Sequence, residues 1–238
     1  MKRKNKALIF LSLLLSSFIL SSCVKYDAEP FLGKTLPRVS GYLTGVTNDW
    51  IYFNLRTGET FNTLSPNKDI KEGEQMNRLD WDLAFCGYKL RTNSGTSGIG
   101  QGGAIDLGYS NYAKWNSISQ LPLNVEWTVD TDVDVYITMS QNDWNKHLIE
   151  NDMDFNDNPW FDPNKGPQRI LTSANKILAE AMTFSGPPPV YTPSLHTYAI
   201  RTADGERFFK VQIISWFNAD VEIGDQGGRV SYYCNELK

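Results

Sequence analysis

The sequence predicts a mainly β fold: a single antiparallel β-rich domain with one or two short helices set between strands. From Val125 to Met139 the positions Val125, Trp127, Val129, Val133, Val135, Ile137 and Met139 are apolar. Glu126, Thr128, Asp130, Asp132, Asp134 and Thr138 between them are polar, which is the period of a sheet with one wet face. Two further runs, Trp50 to Leu55 and Arg207 to Phe217, are rich in aromatic and β-branched residues, as strands are. A parallel sheet would be buried on both faces and would need alternating helices, which this chain mostly lacks, so the strands are expected to pair antiparallel.

The first residues stand apart from that domain. Lys2, Arg3, Lys4 and Lys6 precede an apolar run from Leu8 to Leu20 interrupted only by serines, and Leu20-Ser21-Ser22-Cys23 ends it with small residues. This is the grammar of an export signal over residues 1–22, and the run is shorter than the roughly 20 apolar residues that span a bilayer. Leu-Ser-Ser-Cys resembles the bacterial lipoprotein cleavage box, so Cys23 is expected to be lipidated. Residues 23–40 mix charges with Pro30, Gly33 and Pro37 and suit a tether. The β domain is expected from 41 to 238.

Within it, Trp50 to Leu55, the turn signal Arg56-Thr57-Gly58-Glu59 and Thr60-Phe61 read as a hairpin. Leu79 to Leu90 reads the same way, and Arg207 to Phe217 is apolar enough to lie centrally in a sheet. Two helices are expected as excursions. Ser140 with Asp143 can open one that runs through Glu150, and Ile170, Leu171, Ala174, Ile177, Leu178 and Ala181 keep helical spacing in another.

Composition narrows the function. Lys plus Arg number 23 against 27 Asp plus Glu, so the basic surplus that phosphate contacts require is missing and no nucleic-acid partner is expected. Two histidines, His147 and His196, leave little for a zinc site or a Ser-His-Asp triad. Carboxylates are plentiful, as glycosidases require, but no spacing marks a pair. Gly98, Gly100 and Gly103 satisfy a dinucleotide spacing, yet Ala104-Ile105-Asp106-Leu107-Gly108 continues as strand or turn where a helix should open. Close packing or positive φ is the plainer account of these glycines. The acidic stretch from Asn151 to Asn158 begins like a calcium loop but has Asp157 where the turn glycine belongs and Pro163 where the closing Glu belongs. Cys86 and Cys234 can be a disulfide or two small buried side chains, since export permits a bridge without requiring one.

Several blocks carry a resemblance. Trp81-Asp82-Leu83-Ala84-Phe85, Tyr88, the run from Arg91 to Gly98 and Gly100-Gln101-Gly102-Gly103-Ala104 resemble the core signature of the HmuY family of Bacteroidetes haem-binding lipoproteins. Phe184-Ser185-Gly186-Pro187, Tyr191, Arg201-Thr202-Ala203-Asp204-Gly205 and Lys210-Val211-Gln212 are similar to its later block. The resemblance implies an almost all-β, non-enzymatic lipoprotein at the outer membrane or cell surface. It would take haem between two hairpin fingers, through paired His or Met axial ligands, and pass it to a TonB-dependent receptor. In this chain the first finger offers Met139, His147 and Met153. Met139 is in phase with Ile137, and His147 lies beside Trp144 and Leu148 on one helix face. Met153 stands in a polar loop with no evident core to fill. The second finger has no His or Met from 183 to 190 and offers three prolines, Pro187 to Pro189; Met182 is the nearest soft donor and Tyr191 the nearest oxygen donor. Met182 also lies four residues after Leu178 and can extend that apolar face. His196, between strand residues, reads as structural. The other reading is a non-catalytic surface binding or interaction lipoprotein that has lost axial ligation.

Overall fold

The computed structural model describes residues 31–36, 50–63, 68–86, 89–136, 149, 169–185, 190–217 and 229–238. Its strands are β1 (Lys34–Thr35), β2 (Ile51–Phe53), β3 (Thr60–Asn62), β4 (Leu83–Cys86), β5 (Lys89–Thr92), β6 (Gly103–Tyr109), β7 (Thr131–Tyr136), β8 (Arg169–Ala174), β9 (Met182–Ser185), β10 (Val190–Pro193), β11 (His196–Arg201), β12 (Phe208–Ser215) and β13 (Ser231–Glu236). All lie in the unit Leu32–Lys238. They form a five-stranded sheet, β1-β13-β12-β11-β6, a four-stranded sheet, β3-β2-β4-β5, and two ribbons, β7-β8 and β9-β10. Every one of these pairings is antiparallel, as the alternating pattern predicts.

Hydrophobic burial explains which strands are central. The apolar run over Phe208–Ser215 lies between β11 and β13, with Val211 and Ile213 buried. Those two side chains join Tyr198, Ile200 and Tyr232 in a core shared with Leu83, Phe85 and Leu90 of the four-stranded sheet. The opposite parity of that sheet, with Tyr52, Ala84 and Cys86, packs with Trp50 and Trp81 into a second cluster. Ile105, Leu107, Ala199 and Leu237 make a third, with Trp127 stacked on Phe208 at 5.4 Å. Cys86 sits in the second cluster and Cys234 on β13, and the two are not joined by a disulfide.

The hairpin expected at Trp50 to Phe61 is β2-β3, and Leu79 to Leu90 resolves into most of the hairpin β4-β5. The alternating run is shorter as a strand than its pattern suggests. β7 begins at Thr131, whereas the preceding segment pairs with a sheet strand at the isolated bridge Ala104↔Thr128. The helix expected over Ile170 to Ala181 is absent. Residues Arg169–Ala174 are strand β8, paired Val133↔Thr172 and Val135↔Ile170, and only Leu178–Ala181 coil, as a short 3-10 turn. Helical spacing lost here to a long-range ladder, because Asn175 ends the strand by donating to Thr128 O at 2.8 Å and to Asp130 Oδ1 at 2.9 Å. The other expected helix and the acidic calcium-like stretch fall, apart from Ile149, outside the described residues.

The glycine-rich segment wraps one buried side chain. Asn93 Oδ1 accepts from Gly100 N at 3.0 Å, and its Nδ2 donates to the carbonyls of Arg78 at 2.8 Å and Trp81 at 2.9 Å. Gly102 also donates its N–H to Asn93 O, and a Cβ at Gly102 would lie 2.6 Å from that oxygen. The glycines therefore serve close packing, and no phosphate-binding helix follows them. Gly102→Ala is expected to lower stability by about 1 to 3 kcal/mol, as overpacking against backbone does. Urea unfolding checks it; a midpoint equal to that of wild type would mean the backbone yields.

Candidate functional site

The two ribbons are the parts of the fold not absorbed into either larger sheet, and each is fixed at its foot by a different chemistry. The first, β7-β8, is rooted by polar groups. Asp130 accepts from Thr92 N at 2.9 Å, from the Thr92 hydroxyl and from Asn175 Nδ2, while its own N–H donates to Ser94 Oγ at 3.1 Å. Burial pushes the Asp130 carboxyl up to about 6, against the opposing effect of those donors. On the other strand, Arg91 Nε donates to Ser173 O at 2.7 Å and Nη2 donates to Thr172 Oγ1 at 3.1 Å.

Arg91 is itself held from behind. Its Nη1 donates to Tyr52 Oη at 2.7 Å and to Glu72 Oε1 at 2.8 Å, and the guanidinium lies over the Trp50 ring, 3.8 Å from its centroid. Burial disfavours the charge, yet Glu72 and Tyr52 hold the guanidinium's pKa above its ordinary value. Such a buried cation is tolerated because each of its three nitrogens has a hydrogen-bond partner and one partner is a carboxylate.

The second ribbon, β9-β10, is rooted by apolar packing. Met182, at its start, is 2% exposed and belongs to the core with Leu178, Ala181 and Trp216. Tyr191 is half-buried and stacks on Trp216 at 4.2 Å between centroids, with 18° between ring planes; burial raises its phenol pKa. Ser194 N donates to Ala181 O at 3.0 Å and closes the foot.

Of the sequence-derived donors, the structure therefore brings Met182 and Tyr191 to one foot, where both side chains serve packing. Met139, His147 and Met153 fall at positions 137–148 and 150–168, between β7 and β8 in sequence and outside the described residues. Gly186 to Pro189, between β9 and β10, do so too, and Cys23 lies outside as well. His196 is less buried than its strand setting suggests. Its side chain is 36% exposed, and Nδ1 lies 2.7 Å from Asp106 Oδ2. No sequence signal ties residues ninety positions apart; cross-strand pairing between β11 and β6 creates the contact.

Two antiparallel sheets carrying two separately rooted ribbons define an all-β scaffold of the kind that presents hairpins. The chain belongs to the HmuY family, whose model matches residues 46–234. The fold is similar to that of the apo HmuY analogue of Tannerella forsythia, at 16% identity and TM-score 0.54, over 87% of this chain and 95% of that one. It is similar to apo PinO from Porphyromonas gingivitis at 17% identity and TM-score 0.53, over 86% and 95%. A Bacteroides vulgatus chain named as an HmuY-like heme binding protein matches at 16% identity and TM-score 0.52, over 79% and 84%. No curated protein matches this chain. Among the described residues, no helix is long and apolar enough to cross a membrane.

Proposed function

We propose that this protein is a lipid-anchored haem-capture protein of the outer membrane or cell surface, without catalytic activity, that passes haem to a TonB-dependent receptor. Residues 1–22 serve as export signal, Cys23 as the lipid site and the chain from there to about residue 31 as tether; the expected boundary at 40 moves back because Lys34–Thr35 pair with β13 and Leu36 is buried in the core, so they belong to the binding domain. The observation that carries the reading is the pair of ribbons with separate, firmly held feet. The chain between β7 and β8 holds Met139, His147 and Met153, the soft and imidazole donors that haem iron accepts. Met153 is the foremost ligand, with His147 as its partner or substitute. Met182, packed as described, holds the second foot in place and would reach iron only by leaving the core. A thioether would tilt the site toward reduced haem, and an imidazole would serve both oxidation states.

The buried position of Met182, with three prolines and no His or Met in the sequence from 183 to 190, favours one second reading: the same scaffold acting as a surface interaction protein without axial ligation. Titrating oxidised and reduced haemin while following the Soret band separates the two. A sharp low-spin shift lost in Met153→Ala or His147→Ala is expected. A broad change that neither substitution alters would remove the haem role and leave the second reading.

A further inference from the structure

On one face of the four-stranded sheet, β4 carries the small side chains Ala84 and Cys86, and the chains beside it carry the large ones Trp50, Tyr52, Lys89 and Arg91. Tyr52 and Arg91 both pair with Ala84 and meet across it, with Arg91 Nη1 donating to Tyr52 Oη at 2.7 Å. Glu72 answers the Arg91 charge at 2.8 Å. The adjacent row is built the same way and ends differently. Lys89 pairs with Cys86, and Trp50, one residue before the pair Ile51↔Phe85, flanks Cys86 from the other side. Trp50 is 0% exposed and Lys89 6%. An indole N–H and an ammonium are donors only, so they cannot bond each other. Among the described residues, neither Trp50 Nε1 nor Lys89 Nζ has a hydrogen-bond partner. Burial pushes the Lys89 pKa down and the Arg91 charge adds to this, against an opposing effect of Cys86. Orphaned buried donors call for an acceptor, and a buried ammonium calls for one that is negatively charged. A water would satisfy the N–H groups and leave the charge unanswered.

We propose that Trp50 Nε1 and Lys89 Nζ together hold a small inorganic anion of the halide class, such as chloride, over Cys86. The anion does for this row what Glu72 does for the next. It braces the face from which Arg91 holds Thr172 and Ser173 of β8. The site is independent of haem.

Thermal melts of the full chain test this, with sodium chloride exchanged for sodium gluconate at one ionic strength. The wild-type melting temperature is expected to rise by about 3 to 5 °C for each tenfold increase in chloride above its Kd. Lys89→Met, which keeps an unbranched chain and removes the charge, is expected to lose that dependence without melting lower in gluconate. Trp50→Phe is expected to shift the rise to higher chloride. A chlorine NMR line broadened by wild type and sharpened by competing bromide supplies a second readout that needs no variant. Equal melting of wild type in chloride and gluconate, an unchanged slope in Lys89→Met, or a chlorine line that bromide leaves unaltered would overturn the proposal.

Discussion

Asp82→Ala is expected to lower the unfolding free energy by about 2 to 4 kcal/mol, because each buried donor left without its acceptor costs about 1 to 3 kcal/mol. Asp82 is fully buried; its Oδ2 accepts from Leu55 N at 2.8 Å and from Arg56 Nε at 3.2 Å, and its Oδ1 accepts from Ala203 N at 2.8 Å. Arg56 continues the link through Nη1 to Asp204 Oδ2 at 2.8 Å. One carboxylate therefore ties the β2-β3 turn to the β11-β12 turn, which lie in different sheets. Alanine would leave the backbone donors of Leu55 and Ala203 without their acceptor and remove one of the two carboxylates that hold the half-buried Arg56 guanidinium. Asp82→Asn retains one acceptor and is expected to lose less. Urea midpoints for the two variants give the comparison, and a loss below about 1 kcal/mol for alanine would show that the sheets are held together elsewhere.

That latch explains what could be read from the sequence and what could not. Trp81-Asp82, Asn93 with its glycines, and Ala203-Asp204 are recognisable as family blocks, and the structure shows all of them joining sheets or packing turns. Side chains that must satisfy buried backbone donors leave motifs, because few residue types fit. A haem ligand needs only a soft donor at a loop tip, and many neighbours tolerate it. The match therefore identifies the scaffold strongly and the ligand weakly. Central strand β12 and hairpin β2-β3 were legible because their periodicity and turn residues agree with their burial. The segment from Ile170 to Ala181 misled, because helical spacing is a local signal and its partner strand begins at Thr131. Asp106 and His196 show the same limit, since only antiparallel pairing brings them together.

Asp130 is expected to make the protein less stable as pH rises from about 4 to about 6, opposite to the usual behaviour of a carboxylate. Its folded pKa of about 6 stands above the ordinary aspartate value of 3.8, so between those values the folded chain holds a proton that the unfolded chain has released. Stability from this group is complete below the unfolded value and is lost as pH passes the folded one. At about 1.4 kcal/mol per pKa unit the full difference is about 3 kcal/mol. Asp80, Asp204 and Glu236 have lowered pKa values and act in the other direction, but they are far more exposed and their effects are screened. Comparison with Asp130→Asn isolates the buried group. Relative to wild type, the variant is expected to gain stability steadily from pH 4.5 to pH 7 in urea midpoints. Parallel profiles would mean that the donors of Thr92 and Asn175 keep the carboxylate ionised throughout. Because Asp130 roots β7, the protection of amides at the foot of the first ribbon, taken relative to the unfolded chain's exchange rate at each pH, should follow the same curve, greatest in mild acid and lower near neutrality. The group that fixes this ribbon is then also the one through which pH sets how firmly it is held.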